Sequence, residues 1–184
     1  MSLTPSNMLP LGTNAPDFKL VNTIDDTFVS LDEAKGLNGT LILFICNHCP
    51  FVIHVNPQLS KLAKDYVSKG INCIAISSND VDNYPQDAPY LMKQHAIEND
   101  YKFPYLYDQT QDVAKAYDAA CTPDFYVFND ELKLVYRGQL DDSRPGNNLE
   151  LTGKDIRDTL DSLLNKQPIS KTQKPSVGCN IKWK

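Results

Sequence analysis

The chain has 184 residues, 41% of them hydrophobic and 22% charged, with a net charge of −5. This length suits one domain with a real core, and acids interleaved among all the Lys and Arg argue against a nucleic-acid or anionic-membrane partner, leaving a small molecule or a protein. Residues 1–18 lack a basic start and apolar run, no stretch reaches about 18 consecutive apolar residues, and five cysteines without a secretory signal point to a reducing, cytoplasmic compartment in which thiols serve reactivity or metals.

Short strand-like runs at 18–21 and 27–30 flank a polar turn, which predicts an N-terminal hairpin followed by a small helical patch at 31–35. Leu41-Ile42-Leu43-Phe44-Ile45 is a continuous apolar run ringed by turn signals, as expected of a central strand buried on both faces. Helical spacing over 50–69 ends at Gly70, and 71–76 is a second buried strand, completing a βαβ unit with a right-handed crossover. Helices are predicted at 89–99 and 111–119, strands at 125–128 and 133–138, and a last helix at 153–165 with Ile156, Leu160, Leu163 and Leu164 on one face. The order is β-β-β-α-β-α-α-β-β-α. The expected domain therefore covers 1–166, and 167–184 reads as a Pro-, Lys-, Ser- and Gln-rich C-terminal tail ending Gly178-Cys179-Asn180-Ile181-Lys182-Trp183-Lys184.

The chemistry concentrates in Cys46-Asn47-His48-Cys49-Pro50-Phe51-Val52. Proline is favoured at the first helical position, so Pro50 puts Cys49 at the N-cap, facing the free N–H groups of the first turn. A thiolate there is favoured by those donors and by the helix dipole. A fall of about two pKa units is worth about 2.7 kcal/mol and makes the thiolate the major form near neutrality.

Together with these residues, several landmarks resemble the thioredoxin-like redoxin superfamily, which includes the alkyl hydroperoxide reductase and thiol-specific antioxidant proteins. Phe44-Ile45-Cys46-Asn47-His48-Cys49 matches a strand end leading to a first redox cysteine at Cys49; Val52 stands at the second-cysteine position, and Pro57 five residues later stands where the family kinks its helix. In Cys121-Thr122-Pro123-Asp124-Phe125, Pro123 occupies the family's cis-proline position before a central strand. Arg137-Gly138, the 142–148 segment and the C-terminal tail bring the resemblance nearest to a peroxiredoxin-like branch. The resemblance implies an α/β thioredoxin-like fold, a mixed central sheet flanked by helices. It also implies an antioxidant-type oxidoreductase without a cofactor, working on a small-molecule or protein disulfide or a hydroperoxide and reset by a thiol reductant. Two features depart from it: no Pro-x-x-x-Thr-x-x-Cys precedes Cys49, and Val52 and Leu43 replace a second cysteine and a buried acid.

A resolving thiol must therefore come from elsewhere, and three are open. Cys46 forms a Cys-x-x-Cys with Cys49, Cys121 should approach across the site or else pack as a small hydrophobe, and Cys179 could return on a tail anchored by Trp183 or else lie in a disordered tail. Cys73 reads as core. His48 is expected to tune Cys49, His54 to border the site, and His95 to lie on the surface. Thr122 and Arg144 are candidate substrate contacts, although Arg144 lies in a turn. A second class of function uses Cys46, Cys49 and His48 as soft ligands for Cu or Zn, as in a metallochaperone.

Overall fold

A computed structural model describes residues 3–184. Ten strands and five helices follow in chain order: β1 (Leu3–Pro5), β2 (Lys19–Asn22), β3 (Phe28–Ser30), α1 (Leu31–Ala34), β4 (Gly39–Phe44), α2 (Pro50–Val67), β5 (Ile71–Ser77), α3 (Pro89–Glu98), β6 (Tyr105–Tyr107), α4 (Asp112–Ala116), β7 (Cys121–Thr122), β8 (Asp124–Asn129), β9 (Leu134–Gly138), α5 (Lys154–Leu164) and β10 (Val177–Asn180). A single 3-10 turn, Pro85–Asp87, precedes α3.

Seven strands form one sheet in the order β3-β2-β6-β5-β4-β8-β9. The pairs β4/β5 and β5/β6 are parallel, and β2, β8 and β9 join antiparallel, so the sheet is mixed. Every residue of β4 is buried, which is why its apolar run shows no alternation. Its side chains nevertheless divide by the period of two: Leu41 and Leu43 face a core with α2, α3 and α5, while Ile42 and Phe44 face Leu31, Ala114 and Tyr117 on the other side. In α2 the buried Val52, Val55, Leu59, Leu62 and Tyr66 recur at three- and four-residue spacing, and Pro57 stands on the exposed face, where a missing N–H disturbs only the solvent side.

Four strands lie outside the predicted order. The Tyr105-Leu106-Tyr107 stretch, where no strand is predicted, is β6, paired with both β5 and β2. The other three, β1, β10 and β7, form a separate small sheet in that order. Through it the C-terminal segment returns to the body: Cys179 lies opposite Thr122 and Asn180 opposite Cys121, with β1 pairing along the other edge of β10. Gly178 permits this approach, since a Cβ there would stand 1.9 Å from the Thr122 carbonyl oxygen. Trp183 is not the anchor expected, being 43% exposed; Ile181 is, at 1%.

Candidate active site

The site lies where β4, α2, β7 and β10 meet. Phe44 ends β4, the chain turns through Cys46, Asn47 and His48, and α2 begins at Pro50 with Cys49 as its extended N-cap. Pro123 is joined to Thr122 by a cis peptide bond. Cys49 Sγ lies 3.0 Å from Cys179 Sγ and 3.2 Å from the Thr122 carbonyl oxygen. Cys46 Sγ lies 3.4 Å from the Thr122 hydroxyl.

These contacts polarise the three sulfurs in opposite directions. The Cys49 thiol is lowered to about 5, first by the hydrogen bond from Cys46, against the cost of burial, and then by donors on Cys179 and the Val52 N–H in the first helical turn. Cys46, its donor, is held well above the ordinary thiol range, and burial together with the bond to Cys49 pushes Cys179 up to about 12. These bonds favour the thiolate at Cys49 and the protonated thiol at Cys46 and at Cys179.

The remaining sequence candidates separate clearly. Cys121 does not join the trio: its thiol is 3.8 Å from the Pro123 carbonyl, as alternation along β7 requires when Thr122 turns toward Cys46, and burial pushes its pKa upward. Cys73 is core, raised to about 12 by burial alone. The His48 imidazole turns to Asp87, with Nδ1 2.8 Å from Oδ2, and stacks on Tyr84. His54 hydrogen-bonds Ser143 at 3.0 Å. His95 is not a free surface residue; it is half-buried between Asn56 and Tyr101. The Arg144 guanidinium donates to the Asp141 and Ser143 carbonyls and to Gln139 Oε1, closing its own loop. With Pro123, Phe51, His54, Leu140 and Val177 it borders a small cleft.

Sequence reasoning passed over Asp87 altogether. It is fully buried and accepts from the Asn47 N–H at 2.9 Å and from Asn79 Nδ2 at 2.8 Å. The metal set expected from sequence was Cys46, Cys49 and His48; the structure gathers Cys46, His48 and Asp87 instead.

Residues 11–137 match the AhpC/TSA family model. The chain belongs to the AhpC/TSA family. This member is similar to an uncharacterized conserved protein from Geobacillus kaustophilus, at 58% identity and a TM-score of 0.98, over 100% of this chain and 97% of that one. It is 22% identical over 163 residues to the thiol-disulfide oxidoreductase ResA of Bacillus thuringiensis subsp. konkukian, spanning 89% of this chain and 82% of the relative. The thioredoxin domain of a thiol-disulfide oxidoreductase from Bacteroides vulgatus superposes with a TM-score of 0.65 at 21% identity, over 86% of this chain and 100% of that domain. The AhpC/TSA chain thus has the thioredoxin-like fold that its motifs imply.

Proposed function

We propose that this protein is a thiol–disulfide oxidoreductase in which Cys49 is the nucleophile and Cys179 the resolving thiol. The observation that carries the reading is the 3.0 Å separation of the two sulfurs at the start of α2. The similarity to ResA, whose name is that of a thiol-disulfide oxidoreductase, supports it.

In the first step the Cys49 thiolate attacks one sulfur of a substrate disulfide; the S–S bond breaks, and the other half leaves as a thiolate that takes a proton from solvent. The Cys179 thiol then loses its proton and attacks Cys49 Sγ, expelling the second substrate thiolate and closing a Cys49–Cys179 disulfide. The substrate has gained two electrons and the protein has lost two. A thiol reductant of the compartment returns them, and we place that compartment on the reducing side because of the five cysteines. Membership of the AhpC/TSA family extends the proposal to hydroperoxides. There the thiolate attacks the terminal oxygen, the alcohol leaves, and the Cys49 sulfenic acid condenses with Cys179, releasing water.

The test challenges the reduced protein with one equivalent of a small disulfide or, separately, a hydroperoxide. Remaining thiols are then alkylated and the cysteine peptides mapped by mass spectrometry. A Cys49–Cys179 link is expected, and Cys179→Ser should stop at the mixed disulfide or sulfenic acid. Reaction at Cys49 no faster than at Cys73, or a first disulfide that omits Cys179, overturns the assignment.

A further inference from the structure

Asp87 presents a physical problem that the redox cycle does not solve. Its carboxylate is fully buried, and two neutral amide donors, Asn47 N–H and Asn79 Nδ2, hold its oxygens. Burying a carboxylate is costly unless a cation compensates it. Among the described residues, its one ion-pair contact is His48 Nδ1 at 2.8 Å, and that approach lies off hydrogen-bond geometry, leaving Nδ1 without a hydrogen-bond partner. Nearby, Lys182 Nζ is engaged with Asn180 Oδ1 and sits over the Tyr84 ring at 5.5 Å. The Cys46 sulfur lies beside these two atoms, so a sulfur, an imidazole nitrogen and a carboxylate oxygen from three separate side chains converge here.

We propose that Cys46 Sγ, His48 Nδ1 and an Asp87 carboxylate oxygen form a Zn²⁺ site. The three atoms lie within 4.8 Å of one another. Zinc bonds of about 2.0–2.3 Å set tetrahedral ligand atoms roughly 3.3–3.7 Å apart, so small side-chain rotations that open the 2.8 Å Nδ1–Oδ2 contact and bring the Cys46 sulfur in would complete the set.

Each ligand is already held from behind, as metal ligands usually are. The Asn47 N–H and Asn79 orient Asp87, the Thr122 hydroxyl contacts Cys46 at 3.4 Å, and Tyr84 stacks on His48 with ring planes 5° apart. The donor set selects the metal: one thiolate, one imidazole and one carboxylate fit Zn²⁺, whereas Cu(I) favours softer sets and Mg²⁺ or Ca²⁺ all-oxygen ones. Charge agrees as well. On binding, Cys46 gives its proton to solvent, and a thiolate and a carboxylate together neutralise the ion, which suits a buried position. This site is separate from the Cys49–Cys179 pair and does not depend on the redox reading.

The test uses the full chain, reduced and stripped with a chelator, titrated with Co²⁺ as a spectroscopic probe and then with Zn²⁺ as competitor. One Co²⁺ per chain is expected, with a sulfur-to-metal charge-transfer band that Zn²⁺ abolishes at one equivalent. Cys46→Ser should remove the band, and His48→Gln and Asp87→Asn should each weaken binding by about tenfold or more. A Cys49→Ser/Cys179→Ser double variant should keep the band. Circular dichroism checks that each variant folds; if Asp87→Asn does not, His48→Gln, at a side chain 16% exposed, decides. Absence of stoichiometric binding by the wild-type chain overturns the proposal. So does a band that survives Cys46→Ser, or one lost in the double variant, which would put the metal on the redox pair.

Discussion

Replacing Gly178 by Ala tests whether the returning strand supplies the resolving thiol. The added Cβ would stand 1.9 Å from the Thr122 carbonyl oxygen and 2.7 Å from its carbonyl carbon, both backbone atoms that cannot rotate away. The strand β10 must therefore retreat from β7 by about 1 Å or more, carrying Cys179 with it, and a misplacement of that size between reacting atoms costs about 100-fold in rate. Rapid mixing of the reduced variant with a small disulfide, acid quenching and peptide mapping should show the mixed disulfide at Cys49 accumulating. The intramolecular link should form about 100-fold more slowly than in wild type, while iodoacetamide still modifies Cys49 at least as fast. An unchanged closing rate would refute the reasoning, because it would mean that the 3.0 Å sulfur contact is not what sets the second step.

In metal-free, reduced protein the alkylation rate of Cys49 should be nearly flat between pH 6 and 8 and fall with an inflection near 5; an inflection in the ordinary thiol range, about 8.5, would contradict the hydrogen-bond arrangement. Because the folded state lowers this thiol, the stability it adds is complete above about pH 8.5, the unfolded value, and is lost as pH falls through about 5. The urea midpoints of wild type and Cys49→Ala should accordingly differ most at pH 8.5 and converge near pH 5. Asp124→Asn leaves the Arg137 guanidinium buried against Tyr126 without its 3.0 Å counter-charge and should cost about 3–5 kcal/mol in urea unfolding, a loss that an unmoved midpoint would exclude. Cys73, raised to about 12 by burial, should resist alkylation in the native protein and react only on unfolding; native labelling at the rate of Cys49 would show the core reading to be mistaken.

What the sequence made legible was local. Pro50 dictates a helix start and so places Cys49; the run from Leu41 to Ile45 can only be an interior strand; Pro123 announces itself by its position before Phe125-Tyr126-Val127-Phe128. What stayed hidden depends on distant partners. Strand β7 has two residues and β10 has four, too few for any periodicity, and their pairing joins positions 122 and 179, which lie far apart in the sequence. The clue was Gly178 beside Cys179, a small residue whose value appears only once a backbone oxygen approaches it. Asp87 was missed for the opposite reason. It lies in a polar stretch between Asn83 and Ala88 that reads as solvated loop, and only tertiary folding against Asn47 and Asn79 buries it. The Tyr105–Tyr107 strand follows Pro104 and has three residues, so its alternation could not outweigh the proline. His95 was read as exposed because its helix, Pro89–Glu98, has weak sidedness, with Met92 and Ala96 its only buried residues among those described.

The seating of β10 also has a kinetic meaning. Cys49 has no exposed surface, and the strand that carries its partner thiol packs beside it. Under the proposed function a bulky substrate needs that strand to lift before it meets the sulfur, so raising the substrate concentration would accelerate turnover only up to the frequency of such openings. Beyond that ceiling, chemically different disulfides should be consumed at one common rate, fixed by the protein and indifferent to its customer.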